Sequence, residues 1–217
     1  MGIAVPLLLA CTFGLSVVCA AQTSALCRLT AYRRDPLSGL FVRRAWERGL
    51  RGASRRGRRT HPGHRLAVVM ADIDDMRRHN AHGHDGGDRA IRAVGRRARR
   101  SALAHVGRIG GDEIAGLLWV APDADPSTVA AEVEAALATS AEAPSGQAVP
   151  VTVSVGVAVV GQEGRSVASA IDNASRHALT RKASKRLDPA AAVTQQLPKV
   201  ADAAPVGPPT LAAATAV

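Results

Sequence analysis

The sequence predicts an α/β sandwich, a mainly antiparallel central sheet flanked by helices, with one transmembrane helix at its N-terminus. Three observations support that expectation. Two long apolar runs, RLAVVMADID from Arg65 and VPVTVSVGVAVV at 149–160, have the continuous hydrophobicity of buried strands. Two shorter runs, VGRI and EIAGLLWV, flank Gly110 and Gly111 and suggest a hairpin whose turn uses the positive φ open to glycine. Segments of helical period alternate with these strands. The order helix, strand, helix, hairpin, helix, strand, helix describes helices packed on both sides of a sheet.

Taken in order, residues 2–27 carry no charge and are long enough to cross a bilayer as one helix. Arg28, Arg33 and Arg34 follow at once, which places the N-terminus outside and the rest of the chain in the cytoplasm. VCA before Ala21 offers a cleaved signal peptide as a rival, but that reading lacks a basic leading region. Asp35 and Pro36 then signal a turn, after which Leu40, Ala45, Trp46 and Leu50 share one helical face. Residues 51–64, basic and rich in Gly and Ser, read as a loop. The first strand starts at Arg65. A helix over 85–100 sets Ile91 and Val94 against a face of arginines. After the hairpin, Asp125 as N-cap and Pro126 in the first turn open a helix that aligns Val129, Val133 and Leu137. The strand at 149–160 and a basic helix over 166–186 complete the domain, and the Ala/Pro-rich stretch 189–217 has the composition of a disordered tail. The expected division is an anchor at 1–27, a working domain at 28–188 and the tail.

Composition narrows the function classes. The 217 residues are 47% hydrophobic, enough for one ordinary domain, and only 2% aromatic, so the core must come from Ala, Val, Leu and Ile. The formal charge of +10 arises mainly from RRGRR at 55–59, RRARR at 96–100 and RKASKR at 181–186. Such clusters suit nucleic acid, anionic lipid or a phosphorylated small molecule. No aromatic residues interleave with them, so stacking on nucleic acid is disfavoured and no nucleic-acid partner is expected. The three cysteines, Cys11, Cys19 and Cys27, all lie in the apolar segment, which excludes a disulfide framework or a thiolate zinc site in the domain.

In so basic a chain, the acids are informative. Asp72, Asp74 and Asp75 end one apolar strand, and Asp112 and Glu113 sit at the hairpin. If the hairpin lies beside the first strand, Asp72 and Asp112 meet at one edge of the sheet. Clustered carboxylates repel unless a cation separates them, and hard oxygen ligands suit Mg2+ with its partner phosphates. On spacing alone, a structural role for these acids stands equally open.

Five segments in order resemble the GGDEF family of diguanylate cyclases over residues 35–188. DPLSGLFVRRAW resembles the family's DxLTGLxNRRxF, DIDDMRRHN its DxDxFKxxND, GHDGGD its GHxxGD, RIGGDEI its RxGGDEF, and VTVSVGVA its strand ending in SxG. The resemblance implies condensation of two GTP into cyclic di-GMP with release of two pyrophosphates, on a palm-like cyclase fold. It further implies that Asp72, the Ile73 carbonyl and Asp112 hold Mg2+, and that Asp112 also helps deprotonate the attacking hydroxyl while Glu113 supports the metal. Arg77 takes the place of the family's lysine near the phosphates, Asn80 and Asp88 recognise guanine, and Lys182 and Arg186 bind phosphate. Each active site holds half of the product, so the resemblance implies a homodimer.

The match also departs from the family. HNAHGHDGGD is one residue shorter than the corresponding loop, between the two guanine contacts, and the last helix keeps its motif only as ASRHALTRK. These departures keep open a degenerate domain that binds GTP or a partner protein without cyclising it. His79, His82 and His84 gather three imidazoles, but His84 belongs to GHxxGD. Ser101 and Ala104 stand where many relatives carry an inhibitory RxxD product site, so product feedback by that route is not expected.

Overall fold

The computed structural model describes residues 33–81, 84–143, 145–162 and 166–187. The expected anchor at 1–27 and tail at 189–217 lie outside the described residues, and no helix among those described is long and apolar enough to cross a membrane. The described residues from Asp35 onward form a compact unit by themselves.

Within it, β1 (Phe41–Val42) leads into α1 (Arg43–Thr60), β2 (Arg65–Ile73), the single turn α2 (Met76–His79) and α3 (His84–Arg100). The hairpin β3 (Ala104–Arg108) and β4 (Glu113–Val120) follows, then α4 (Pro126–Leu137), β5 (Thr139–Glu142), β6 (Ala148–Val151), β7 (Val153–Val159) and α5 (Val167–Leu187). The sheet order is β1-β3-β4-β2-β7, with every pairing antiparallel except the short β1 with β3. β5 and β6 make a separate two-stranded ribbon, which the sequence reading did not anticipate.

The alternation of side chains in β2 divides the core into two layers. Ala67, Val69, Ala71 and Ile73 pack with Ala90, Ile91 and Val94 of α3 and Val129, Val133 and Leu137 of α4. Leu66, Val68 and Met70 face the other way, toward Trp46 of α1 and Ala170, Ala174 and Ala178 of α5. Asp72 continues that second row, so the pleat itself aims it toward the side of the sheet that α5 covers. The three alanines recur every fourth residue and let α5 lie close on β7, where a side chain at Gly156 would collide with the Ala174 carbonyl oxygen.

Three expectations need correction. Residues 51–60 are helix, not loop, because Arg and Ala favour helix and the apparent breaker Gly57 is needed for space: a Cβ there would strike the Trp119 indole. The run 149–160 is two strands, divided at Thr152 between β6 and β7. Neither Gly110 nor Gly111 has positive φ, so the turn does not use the left-handed backbone open to glycine. The N-cap of α4 forms as expected, with the Asp125 carboxylate accepting from the Thr128 amide at 2.9 Å.

Candidate active site

The register of β2 against β4 pairs Asp72 with Glu113 and brings Asp112, one residue earlier, to the end of β2, where its carbonyl accepts from the Ile73 amide at 3.2 Å. The expected meeting of Asp72 and Asp112 therefore occurs. Lys182, reaching across from α5, lies between them. Its ammonium donates to Asp72 Oδ1, is 3.2 Å from the Ile73 carbonyl oxygen and 4.0 Å from Asp112 Oδ2. Burial, the largest influence on Asp72, raises its carboxyl pKa; the bond and charge of Lys182 lower it, Asp112 and Asp74 raise it again, and the net position is above the ordinary carboxylate range.

The same three oxygen donors test the fit of a divalent ion. Among the described residues no group of three or more His, Cys, Asp or Glu side chains is placed to hold a metal. Two carboxylates and one backbone carbonyl nevertheless converge on a single cation, here the lysine. Hard oxygens in this number suit Mg2+, which keeps most of its shell for water and phosphate. The residues fit.

A staple fixes the hairpin that carries Asp112. Arg108 donates from Nη1 to both carboxylate oxygens of Asp35 at 3.1 Å and from Nε and Nη2 to the Gly111 carbonyl at 3.0 and 2.6 Å. Asp35 also accepts from the Ser38 amide at 2.7 Å and the Ser38 hydroxyl at 2.6 Å. Burial raises the Asp35 pKa, but the Ser38 bonds and Arg108 outweigh it, and the carboxyl titrates below its usual range. The opening turn of the domain and the turn before Asp112 are thus held as one piece.

The remaining sequence-predicted residues are placed unevenly. Asn80 ends α2, and its side-chain oxygen accepts from the Gly87 amide at 3.1 Å, which fastens it beside Asp88 despite the shortened loop. Asp88 lies in the first turns of α3 with Arg92 at 3.8 Å. Glu113 is exposed at the start of β4, with its backbone carbonyl closing the turn through the Ile109 amide at 2.9 Å. Arg77 and Arg186 are exposed, and their side chains make no hydrogen bond or ion pair among the described residues. Of the three histidines, His82 lies outside the described residues.

One cluster escaped the sequence reading. Glu134 of α4, 2% exposed, accepts from Arg181 at 2.7 and 3.2 Å, from the Val155 amide at 2.9 Å and stands 3.2 Å from Lys185. Buried Asp74 accepts from Thr152 at 2.9 Å and Ser154 at 2.7 Å, with Lys185 at 3.4 Å. Lys185 donates also to the Val153 carbonyl at 2.7 Å. A signal was present: Glu134 falls among Ala130, Val133 and Leu137 on the apolar face of its helix, where an acid requires a buried partner. Arg181 and Lys185, four apart, supply it from α5 and fix the turn that carries Lys182.

Comparison with known proteins agrees with this geometry. The profile of the family "Diguanylate cyclase, GGDEF domain" matches residues 32–187. A 19.3 kDa protein of Streptomyces ambofaciens is 36% identical over 141 residues, 62% of this chain and 69% of that one. The probable diguanylate cyclase DgcC of Escherichia coli K12 is 34% identical over 128 residues, 58% of this chain but 34% of that longer protein. Among solved structures, a sensory box/GGDEF family protein from Caulobacter crescentus superposes with a TM-score of 0.58 at 29% identity, covering 70% of this chain and 99% of that one. The diguanylate cyclase SiaD of Pseudomonas aeruginosa, solved with its activator SiaC, gives 0.58 at 28% identity over 81% of this chain and 68% of that one. The GGDEF domain of DgcB from C. crescentus, solved in complex with c-di-GMP, gives 0.52 at 26% identity over 72% and 91%. The signature segments, scattered over the sequence and gathered by the fold at one end of the sheet, are those of a chain that belongs to the diguanylate cyclase GGDEF-domain family.

Proposed function

We propose that the protein is a Mg2+-dependent diguanylate cyclase that condenses two GTP into cyclic di-GMP. The observation that carries the reading is the convergence of Asp72 Oδ1, the Ile73 carbonyl and Asp112 Oδ2 on one cation. In each half-reaction the 3′-oxygen of one GTP bonds to the α-phosphorus of the other, the α–β phosphoanhydride bond breaks, pyrophosphate leaves and the hydroxyl proton is lost. Mg2+, when bound, supplies charge neutralisation on the triphosphate.

This chain's residues then have the following roles. Asp72, Ile73 and Asp112 hold the metal, Asp112 also accepts the hydroxyl proton, and Glu113 reinforces the charge beside it. Lys182 and Arg186 bind phosphate, Arg77 screens charge on the phosphates, and Asn80 and Asp88 orient guanine. Arginine at 77 keeps the charge of a lysine but delivers it as a planar fork. Because each site would hold one nucleotide, two copies must face each other, so the working form is a homodimer. The uncharged segment 2–27 would tether it to the membrane with the catalytic domain on the cytoplasmic side.

Incubating the 217-residue chain with GTP and Mg2+ and separating the products tests the reading. Cyclic di-GMP that disappears in Asp112→Ala is the expected result. Tight GTP binding without product at any protein concentration would instead identify a nucleotide-binding domain that has lost catalysis, a reading favoured by the Asn80 oxygen being held by Gly87.

A further inference from the structure

Lys182 stands where two roles conflict. Its ammonium contacts the three oxygens that would hold the metal, and its side chain is 15% exposed. An ammonium and a divalent cation cannot share those oxygens, because their mutual repulsion at such separations is large in a half-buried site. One must leave before the other enters.

The surroundings determine where a displaced lysine can go. The acids nearest to its helix are taken: Glu134 is held by Arg181 at 2.7 Å and Lys185 at 3.2 Å, and Asp74 by Lys185 at 3.4 Å. The helix cannot retreat, since those same contacts and the close packing of Ala174 on Gly156 pin α5 to β7 and α4. Only the four-carbon stem of Lys182 is free to swing, and it needs a new anion on arrival. A nucleotide triphosphate bound beside the metal is such an anion.

We propose that Lys182 is the resident counter-ion of the Asp72, Ile73 and Asp112 oxygens in the nucleotide-free protein. A divalent ion must displace it, and the triphosphate draws it off, so metal and nucleotide bind as a coupled pair and the bare metal binds poorly. The inference rests on the metal reading of the site given above. It makes Lys182 a determinant of when the metal binds, in addition to any contact it makes with phosphate. By linkage, the factor by which nucleotide strengthens metal binding must equal the factor by which metal strengthens nucleotide binding.

Manganese binding to the 217-residue chain, followed by electron paramagnetic resonance, tests the coupling without reference to activity. The probes are Mn2+ alone and Mn2+ with 3′-deoxy-GTP, which lacks the attacking hydroxyl. Lys182→Met and Lys182→Gln are expected to bind Mn2+ alone on the order of tenfold more tightly than the unmodified protein, because a competing charge is gone. The enhancement by nucleotide should shrink toward unity in both, whereas Lys182→Arg should stay weak and coupled. Amine labelling read by mass spectrometry gives a second measure: Lys182 should be protected in the metal-free protein and exposed in Asp72→Asn. Unchanged or weaker Mn2+ binding in Lys182→Met and Lys182→Gln would overturn the proposal while leaving the metal site standing. Mn2+ binding that survives both Asp72→Asn and Asp112→Asn would overturn the metal reading itself, and with it the proposal.

Discussion

The protein places two acid–base clusters side by side and treats them differently. Asp72 and Asp112 share one lysine, lie at the partly exposed end of β2 and leave Asp72 with a raised pKa. Asp74 and Glu134, from a neighbouring position and from α4, are buried and receive two hydroxyls, a backbone amide, a guanidinium and a second lysine. Lys182 and Lys185 serve the two clusters from one helix. Buried acids with donors on both carboxylate oxygens stabilise a fold, whereas acids that share a single lysine remain available to a ligand.

The sharpest way to break this contrast is Asp112→Ala. Cyclic di-GMP formation should fall on the order of 1,000-fold or more while the urea unfolding midpoint stays near that of the unmodified chain. Glu134→Ala should do the reverse to stability, costing about 3–5 kcal/mol in urea unfolding because Arg181 loses its buried partner and the Val155 amide its acceptor, while Lys185 keeps only Asp74. If the two variants lost stability equally, the distinction between the clusters would be wrong.

Asp35→Asn tests the staple between the opening turn and the hairpin and should cost about 1–3 kcal/mol by the same measurement. Because the Asp35 pKa is depressed, its contribution is present above the ordinary carboxylate pKa and is lost as pH falls through the lower value. The variant should therefore lack that part of the acid denaturation.

The smallest effect concerns Asp72, whose raised pKa has the opposite sign. Its ionised form disfavours the fold, so the contribution of this group is fully present below the unfolded value and is lost as pH rises through the higher folded one. Asp72→Asn should thus be slightly more stable than the unmodified protein at neutral pH without metal. That advantage should fade on acidification, and an advantage unchanged down to low pH would refute the assignment.

Much of this was legible in the sequence because it is local. The β2 run, the flanks of Gly110 and Gly111, and the Asp125 cap each announce themselves within a few residues, and Lys182 was singled out by the resemblance to the family's last helix, whose lysine and arginine stand four residues apart. What failed depended on distant contacts. Residues 51–60 look like a loop until Trp119 explains Gly57, and Thr152 divides a run whose apolar character continues on either side. The Glu134 cluster joins residues 47 positions apart through Arg181, and no window on the sequence contains both. Arg186, which the family resemblance assigns to phosphate, is exposed on α5.

β7 ends the sheet, pairing with β2 on one side only. Its outer backbone groups are answered by side chains: the Val153 carbonyl by Lys185 at 2.7 Å, the Val155 amide by Glu134 at 2.9 Å and the Val157 carbonyl by His177 at 2.9 Å. An edge strand of valines with free donors and acceptors invites a further strand from another molecule, the first step of cross-β assembly. These three residues occupy the positions such a strand would take, so α4 and α5 close this edge of the sheet to a further strand.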